Sequence, residues 1–326
     1  MRRVNVNSKL HWVNFPKSAV AAVFLTACLS MTSIAQQMGQ KTFSSPEDAS
    51  TALVTAAQNN DEKAMIEILG PDAKQIVSSG DDTEDTNNRA NFVQRYKEMH
   101  RLVTEPDGTT TLYIGAENWP TPIPLVIKGN TWYFDTDAGK QEILYRRIGQ
   151  NETSAIAVCQ ELVAAQKEYR ATHDNEYALK FFSDEGQHNG LYWRAAEGES
   201  QSPIGPLVAS AMADGYAQSQ NGTPTPYRGY HFRILMHQKK TASSEAKRYV
   251  VNGKMTGGSA FVAYPAEYRS SGVMTFIVNG DGVVYEKDLG KKTDVLAKAM
   301  KEYNPNSSWQ ETDDQPEENA SAQELK

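Results

Sequence analysis

The sequence predicts an α+β fold of two domains, and three observations lead to this prediction. A length of 326 residues corresponds to about two domains. Helical periodicity opens each half, and β-rich runs joined by turn signals follow it. We expect helices with a curled antiparallel hairpin sheet in residues 46–149, and a long helix packed on an antiparallel meander in residues 150–304. A tether at 36–45 and an acidic disordered tail at 305–326 are expected to flank the two domains.

Three helices are predicted to open the first domain. A capped helix begins at Pro46, and a second helix ends at Leu69, just before Gly70-Pro71. The polar, acidic stretch 80–88 predicts a loop, so the third helix is placed at 89–102. Strands at 110–115, 122–128 and 131–135 follow, the last two joined by Gly129-Asn130, and a helical segment at 137–149 ends the domain.

The second domain is predicted to begin with a long amphipathic helix at 153–170. Strands at 229–237, 248–254, 259–264, 273–278 and 283–286 are expected, with short helices at 207–216 and 294–302. The strands at 259–264 and 273–278 are apolar on both faces, which predicts a sheet covered on both sides. We expect the long helix on one face, and the 207–216 helix or the first domain on the other.

The first 35 residues have the three parts of a secretory signal peptide. Four basic residues and no acidic one accompany an apolar run of 12 residues, Ser18–Leu29, and Ser33-Ile34-Ala35 is a small-x-small cleavage site. The run is shorter than the roughly 20 residues of a membrane-spanning helix, which favours a signal peptide over an anchor. We therefore expect a periplasmic or secreted protein that begins at Gln36, with a net charge of −11 instead of −7.

A competing interpretation concerns Cys28. Leu25-Thr26-Ala27-Cys28 resembles the lipobox of bacterial lipoproteins, in which the cysteine is acylated. Lipidation at Cys28 would make the protein an outer-membrane lipoprotein, and contact with a membrane is expected only in that case. Leu29 and Met31 argue against lipidation, because a polar tether usually follows the cysteine.

Five glycine- and aromatic-rich stretches carry a resemblance to a known family. They are Gly190–Trp193, Ser202–Leu207, Gly229–Leu235, Gly257–Tyr268, and Gly272–Val278 with Asp281–Gly290. Together with residues 43–69 they resemble the bacterial envelope family known as domain of unknown function 2950. The resemblance extends over nearly all of the mature chain. It implies an exported protein of a Gram-negative bacterium, and it implies no reaction.

The second half is also similar to the globular head of type IV pilin-like proteins. The resemblance rests on the order of long helix, loop and antiparallel meander, with Ala263-Tyr264-Pro265 and the hairpin after Thr275-Phe276. A pilin polymerises through an exposed apolar helix directly after its leader peptide. Here a whole predicted domain precedes the helix, and the helix is amphipathic, so a pilus subunit is not expected.

The chain lacks the sequence patterns of several kinds of chemistry. A pI near 5.5 without a long Lys/Arg run argues against nucleic acid as a partner. His231 and His237 would lie about 20 Å apart on one strand, and the acidic stretch from Asp81 lacks the glycine and glutamate of a calcium loop. Nucleophile-elbow and phosphate-loop motifs are missing from the sequence, and Cys159 lies in an apolar helix that suits packing. We predict no metal ligand, cofactor or catalytic residue.

Aromatic residues in glycine-rich loops are the remaining candidates for a binding site. The candidate residues are Tyr192, Trp193, Arg233, Tyr264, Glu267 and Tyr268, with Trp119-Pro120 and Pro226-Tyr227 as similar pairs. They are expected either to line a groove for a peptide or glycan, or to fill the seam between the domains. Arg233 is expected to pair with a carboxylate such as Glu267 or to bind an anionic ligand.

These observations favour a non-enzymatic protein of the periplasm that binds or scaffolds an envelope protein, a peptide or a glycan. A first alternative is a hydrolase that acts on envelope polymers through a pair of carboxylates. A second alternative, which rests on the pilin-like resemblance, is an accessory component of a pilus or secretion system.

Overall fold

Four helices build the first part of the fold. The computed structural model describes residues 38–196, 198–216, 225–240 and 245–312. The helices are α1 (Pro46–Gln58), α2 (Glu62–Leu69), α3 (Lys74–Val77) and α4 (Asp82–Glu98). The Ser45 side chain accepts a hydrogen bond from the Asp48 amide at 3.0 Å and caps α1. The predicted positions of the first two helices are confirmed.

Helix α4 begins earlier than the sequence analysis predicts, because the acidic stretch 80–88 is its first part and not a loop. Asp81 caps the helix by accepting a hydrogen bond from the Glu84 amide at 3.1 Å. Three acidic residues lie in the first turn, where the helix dipole favours negative charge. The helix ends at Glu98, and residues predicted to extend it form a strand instead.

An antiparallel sheet packs against these helices. Its strands are β1 (His100–Thr104), β2 (Thr110–Ile114), β3 (Trp119–Pro120), β4 (Leu125–Lys128) and β5 (Thr131–Phe134), in the order β1-β2-β4-β5 with β3 paired to β2. The hairpin at Gly129-Asn130 is confirmed. Phe43 exchanges two backbone hydrogen bonds with Trp132, each of 2.8 Å, so the end of the expected tether belongs to the fold.

One helix of 37 residues, α5 (Thr136–Thr172), joins the two helical segments that were predicted separately. The expected domain boundary at residue 149 falls inside this helix. The described residues cluster into one compact unit. The division into two domains therefore remains a prediction, and the two halves share α5 as a common element.

The second half contains an antiparallel sheet between helices. The helices are α6 (Gly205–Ala213) and α7 (Thr293–Ala299). The strands of the sheet are β6 (Tyr230–Leu235), β11 (Ala260–Pro265), β12 (Met274–Asn279), β13 (Val284–Asp288) and β15 (Gln310–Glu311), in the order β15-β13-β12-β11-β6. Shorter strands are β7 (His237–Gln238), β8 (Lys247–Arg248), β9 (Val250–Val251), β10 (Lys254–Met255) and β14 (Glu302–Tyr303). The α+β class is confirmed.

The predicted strand at 248–254 is broken into short pieces. Its chain reverses at Asn252 and Gly253, which have φ values of 51° and 81°. Positive φ at both central residues is the geometry of a tight hairpin turn, and Asn-Gly is the dipeptide that adopts it most readily. The prediction of one uninterrupted strand at 248–254 is therefore wrong at this dipeptide.

Both faces of the sheet are covered, as predicted, and every residue of β11 is buried. Helix α5 covers one face, where Cys159, Phe261 and Phe276 belong to one apolar cluster. The opposite face is covered by α7, whose Ala297 packs in a cluster with Val262. The expectation that the 207–216 helix or the first domain covers that face is wrong. Helix α6 packs in the same cluster as α5, and every buried residue of the cluster on the α7 side lies in the second half.

The fold continues beyond the expected start of the acidic tail at residue 305. Strand β15 pairs with β13, and the Thr312 amide donates a hydrogen bond to the Val284 carbonyl at 3.0 Å. The predicted signal peptide, with Cys28, and the rest of the tail lie outside the described residues. Among the helices of the described part, none has the length and apolar character needed to cross a bilayer.

Candidate functional site

The predicted binding residues do not come together in one groove. Tyr192 and Trp193 pack on the α5 side of the sheet, where Trp193 stacks on His188 with ring centres 4.4 Å apart. The Trp193 indole N–H donates to the Ser200 carbonyl at 3.1 Å. Tyr264 is buried in the cluster on the opposite face. The sheet itself therefore separates two parts of the expected site.

Arg233 is a helix-capping residue in this structure. Its Nη1 donates to the Ala297 carbonyl at 2.7 Å and to the Lys298 carbonyl at 2.8 Å, at the carboxyl end of α7. A guanidinium is favourable there because the last carbonyls of a helix lack partners and carry partial negative charge. The predicted pairing of Arg233 with Glu267 is wrong.

Glu267 and Tyr268 lie in the loop between β11 and β12. The Tyr268 hydroxyl donates to Asp288 Oδ2 at 3.1 Å. The Glu267 carbonyl accepts from the amides of Ser270 and Ser271 at 3.1 and 2.9 Å, which folds the loop into a tight turn. Ser270 Oγ reaches the first half of the chain, so this loop belongs to the junction between the halves.

Asp81 connects the start of α4 to the second half. It is only 1% exposed. Its Oδ2 accepts hydrogen bonds of 2.9 Å from both the Tyr216 hydroxyl and the Gly229 amide. Since Oδ1 caps α4 by accepting from the Glu84 amide, both carboxylate oxygens have partners, as a buried charge requires.

Arg147 of α5 reaches the segment that precedes α4. Its Nη1 and Nη2 donate to the carbonyls of Gln75 and Ile76 at 2.9 and 2.5 Å. The charge of Arg147 acts on both Asp85 and Glu84. Asp85 is buried, and its Oδ2 accepts from the Ser79 amide at 2.8 Å. Burial raises the pKa of Asp85 and lowers that of Arg147.

Glu84 completes this group, which we call the junction cluster: Asp81, Glu84, Asp85 and Arg147. Asn151 Nδ2 donates to Glu84 Oε2 at 3.2 Å and to the Ser271 carbonyl at 3.1 Å. Burial, assisted by the charge of Asp81, raises the pKa of Glu84 to about 7. A carboxyl group that is partly protonated near neutral pH makes the cluster sensitive to pH.

In the described part of the chain, no group of three or more His, Cys, Asp or Glu residues is placed to hold a metal ion. The junction cluster makes hydrogen bonds to backbone groups of both halves. The cluster therefore connects packed elements through polar contacts.

A second arrangement lies on the surface, where α4, β3 and α5 meet. We call it the Trp119 surface: Arg95, Glu117, Trp119 and Arg146. Trp119 is 42% exposed, and the Cζ atoms of Arg95 and Arg146 lie 5.1 and 5.2 Å from its ring centre. These distances are within the range of cation–π attraction.

The two arginines of the Trp119 surface differ in their partners. Arg146 Nε donates to Glu142 Oε1 at 2.7 Å, so part of this guanidinium is occupied. Arg95 makes no side-chain hydrogen bond to any described residue, and its nearest carboxylate, Glu117, is 4.0 Å away. An arginine carries five N–H donors. Arg95 can therefore receive an acceptor from a ligand.

The turn before Trp119 is held by backbone and side-chain bonds. The Gly115 amide donates to the carbonyls of Arg95 and Met99 at 3.0 and 2.9 Å. Arg101 Nε donates to Asn118 Oδ1 at 2.7 Å, and Asn118 adopts a φ of 57°. Asparagine tolerates this left-handed conformation better than most residues. The Trp119 side chain is thus presented from a fixed turn.

Sequence reasoning found Trp119 but neither the arginines beside it nor the junction cluster. Arg95 and Arg146 lie on two different helices, and nothing local in the sequence shows that both helices meet β3. The composition of the acidic stretch 80–88 predicts a loop, whereas the structure places these residues at the start of α4. Their helical spacing, with Asp81, Glu84 and Asp85 at i, i+3 and i+4, was a signal that could have placed them on one helix face.

Comparison with known proteins identifies a family but no activity. No curated protein and no solved structure gives a significant match, so the similarity to a pilin head stays a prediction. A family model described as protein of unknown function (DUF2950) matches residues 40–312, which is most of the sequence. The match confirms the resemblance seen in the glycine- and aromatic-rich stretches. The chain belongs to the DUF2950 family.

Proposed function

We propose that this protein is exported to the bacterial envelope and acts there by binding a partner, without catalysing a reaction. The signal-peptide pattern of residues 1–35 supports export. One structural observation supports binding: the exposed Trp119 surface holds an arginine whose donors are unused by the described residues. By contrast, the junction cluster of titratable groups is occupied by bonds between the two halves.

Export is tested by the mass of the processed chain. Cleavage before Gln36 predicts a soluble chain in the periplasmic fraction, and Cys28→Ala should leave both the mass and the fraction unchanged. An acylated chain that begins at Cys28 and is lost in Cys28→Ala would support the lipoprotein interpretation instead. Unprocessed protein in the cytoplasm would contradict export.

Binding is tested by photo-cross-linking in living cells. A photoreactive residue at position 117 lies on the Trp119 surface, because the Glu117 side chain is 83% exposed. The control position is Val251, which is exposed on the second half. We expect a cross-linked product at position 117 and none at position 251. Equal labelling at the two positions, or none at either, would contradict a binding role for this surface.

A hydrolase is the second candidate, and Glu84 is the observation that favours it. A carboxyl group with a pKa near 7 beside other carboxylates is typical of a general acid. If Glu84 is catalytic, the wild-type chain releases new reducing ends from envelope polysaccharide and Glu84→Gln does not. We expect no release by either protein. Release by the wild type alone would replace the binding proposal with the hydrolase.

A further inference from the structure

We propose that strand β1, at the edge of the sheet in the first half, pairs with β1 of a second copy of this chain, so that two sheets join across a two-fold axis. This edge is separate from the Trp119 surface. Strands β1 and β3 both pair with Tyr113 and Ile114 of β2, so they lie on opposite sides of that strand. The proposal therefore goes beyond the binding function assigned to the Trp119 surface, and either one can fail without the other.

The direction of the backbone groups in β1 follows from its pairing with β2. The Glu105 amide donates to the Thr109 carbonyl at 2.8 Å, and the Gly115 amide donates to the Met99 carbonyl at 2.9 Å. Hydrogen-bonded residues alternate along an antiparallel strand. The odd-numbered residues of β1 therefore bond to β2, and the even-numbered ones direct their N–H and C=O groups away from it. The outward-facing residues are His100, Leu102 and Thr104.

These outward groups form an open edge. None of them has a hydrogen-bond partner among the residues that the structure describes, and β1 is the last strand in the order of its sheet. His100, Arg101 and Thr104 are exposed, and Leu102 and Val103 are half-buried. Proteins usually protect such an edge with proline, lysine or a bulge. Strand β1 has none of these, and its register with β2 is continuous.

A second copy fits this edge because β1 is complementary to itself about its central residue. In an antiparallel pair centred there, Leu102 faces Leu102 of the second copy, and His100 faces Thr104 of the second copy. Every outward N–H and C=O of β1 then has a partner. Leu102 packs on the core of the first half, so the pairing also removes two half-buried leucine side chains from water.

The charges of β1 suit the same register. Arg101 faces Val103 of the second copy, so no two like charges lie directly opposite each other. Glu105 of the second copy lies diagonally across from Arg101, at a separation that long side chains can bridge. The self-paired strand thus allows an ion pair between copies on each side of the axis.

Strand β6 is also an edge strand, but it is less suited to pairing with itself. Tyr230 exchanges backbone hydrogen bonds with Tyr227 on the outer side, which leaves Phe232 and Ile234 as the outward residues. Two copies paired about the centre of these residues would place Arg233 directly opposite Arg233. Like charges at that position destabilise a sheet.

The first test is the mass in solution of the chain from Gln36 onward, measured by sedimentation equilibrium over a range of concentrations. We expect a reversible equilibrium between one chain and two. Thr104→Pro removes an outward N–H of β1 but no hydrogen bond to β2, and it should weaken the dimer by at least about tenfold. Thr104→Ala is the matched control, because it removes the same side chain and keeps the N–H, so its dimer should be unchanged. Circular dichroism checks that both variants fold.

The second test is disulfide trapping, which reports the register even if Thr104→Pro does not fold. The thiols of two Leu102→Cys chains would face each other across the axis. The thiols of two Thr104→Cys chains would lie about 13 Å apart, since four residues of strand separate them. Cys159 is buried and does not compete. We expect mild oxidation to cross-link Leu102→Cys and not Thr104→Cys.

Three results would overturn the proposal. They are a single chain at every concentration, a dimer that a folded Thr104→Pro leaves intact, and cross-linking at position 104 without cross-linking at position 102.

Discussion

Glu84 lies where α4 meets α5 and the β11–β12 loop, and its surroundings disfavour its charged form. Burial is the largest cause, and the charges of Asp81 and Asp85 act in the same direction. The charge of Arg147 and the hydrogen bond from Asn151 act against them without restoring the ordinary value. The side chain therefore binds a proton more tightly in the folded chain than in the unfolded chain.

This difference predicts how stability changes with pH. Because the pKa of Glu84 is about 7 in the folded chain and 4.5 in its ordinary state, the folded chain holds more protons between these values, and stability falls as pH rises through them. Glu84→Gln should be more stable than wild type at pH 8, by about 2 kcal/mol, and close to it at pH 4.5. Urea unfolding at both pH values measures this.

The matched control is Glu161→Gln, since Glu161 is an exposed acid of α5. This variant removes one negative charge from an exposed position of α5 without touching the junction cluster. If Glu161→Gln gained as much stability at pH 8 as Glu84→Gln, the cause would be the overall charge of the chain and not the position of Glu84.

At the scale of the element, α5 contains two glycines in opposite surroundings. A Cβ atom at Gly139 would lie 2.3 Å from the Pro122 carbonyl oxygen, whereas a Cβ at Gly149 would have no neighbour within 4 Å. Helix propensity alone predicts that alanine stabilises at both positions. The tertiary contact reverses this at one of them.

We therefore expect opposite results from Gly139→Ala and Gly149→Ala. Gly149→Ala should stabilise the chain by about 0.5–1 kcal/mol, because alanine loses less backbone entropy in a helix. Gly139→Ala should destabilise it by about 1–3 kcal/mol, because the loop at Pro122 must move. Thermal unfolding of the two variants measures the difference. A gain in stability in both variants would contradict the close contact between Pro122 and α5.

Much of the element pattern could be predicted from local sequence. The helices at 46 and 62 have capping residues and a glycine–proline stop, and the Gly129-Asn130 turn fixes its own hairpin. The boundaries of α4 could not be predicted in the same way. Its first turn is polar and acidic because Asp81 and Asp85 are buried against other elements, and an exposed acidic loop has the same composition.

At the scale of the whole molecule, the junction cluster connects the two halves by hydrogen bonds. Arg147 binds carbonyls of the segment before α4 while its charge offsets those of Asp85 and Glu84. A partly buried carbonyl that loses its hydrogen-bond donor is costly, because no other group replaces the solvation that it gave up on folding. A single substitution in the junction cluster should therefore lower the stability of both halves.

Arg147→Met should destabilise the chain by about 1–3 kcal/mol at pH 7, because the Gln75 and Ile76 carbonyls lose their donor and Asp85 loses a nearby positive charge. The double variant Arg147→Met/Asp85→Asn should recover part of this loss, since a neutral amide at position 85 does not depend on the charge of Arg147. Urea unfolding of the wild type, both single variants and the double variant gives the coupling free energy. Simple additivity of the two single effects would contradict the role assigned to Arg147.

The sequence by itself determined the α+β class, most of the helices and strands, and the DUF2950 resemblance. Those features depend on periodicity, caps and turn dipeptides, which act over a few residues. Only the tertiary structure decided that α7 covers the second face of the sheet, that Arg233 caps α7, and that Arg95 meets Trp119. Each of these contacts joins residues far apart in the chain, and such pairs are chosen by the packing of whole elements and not by local preference.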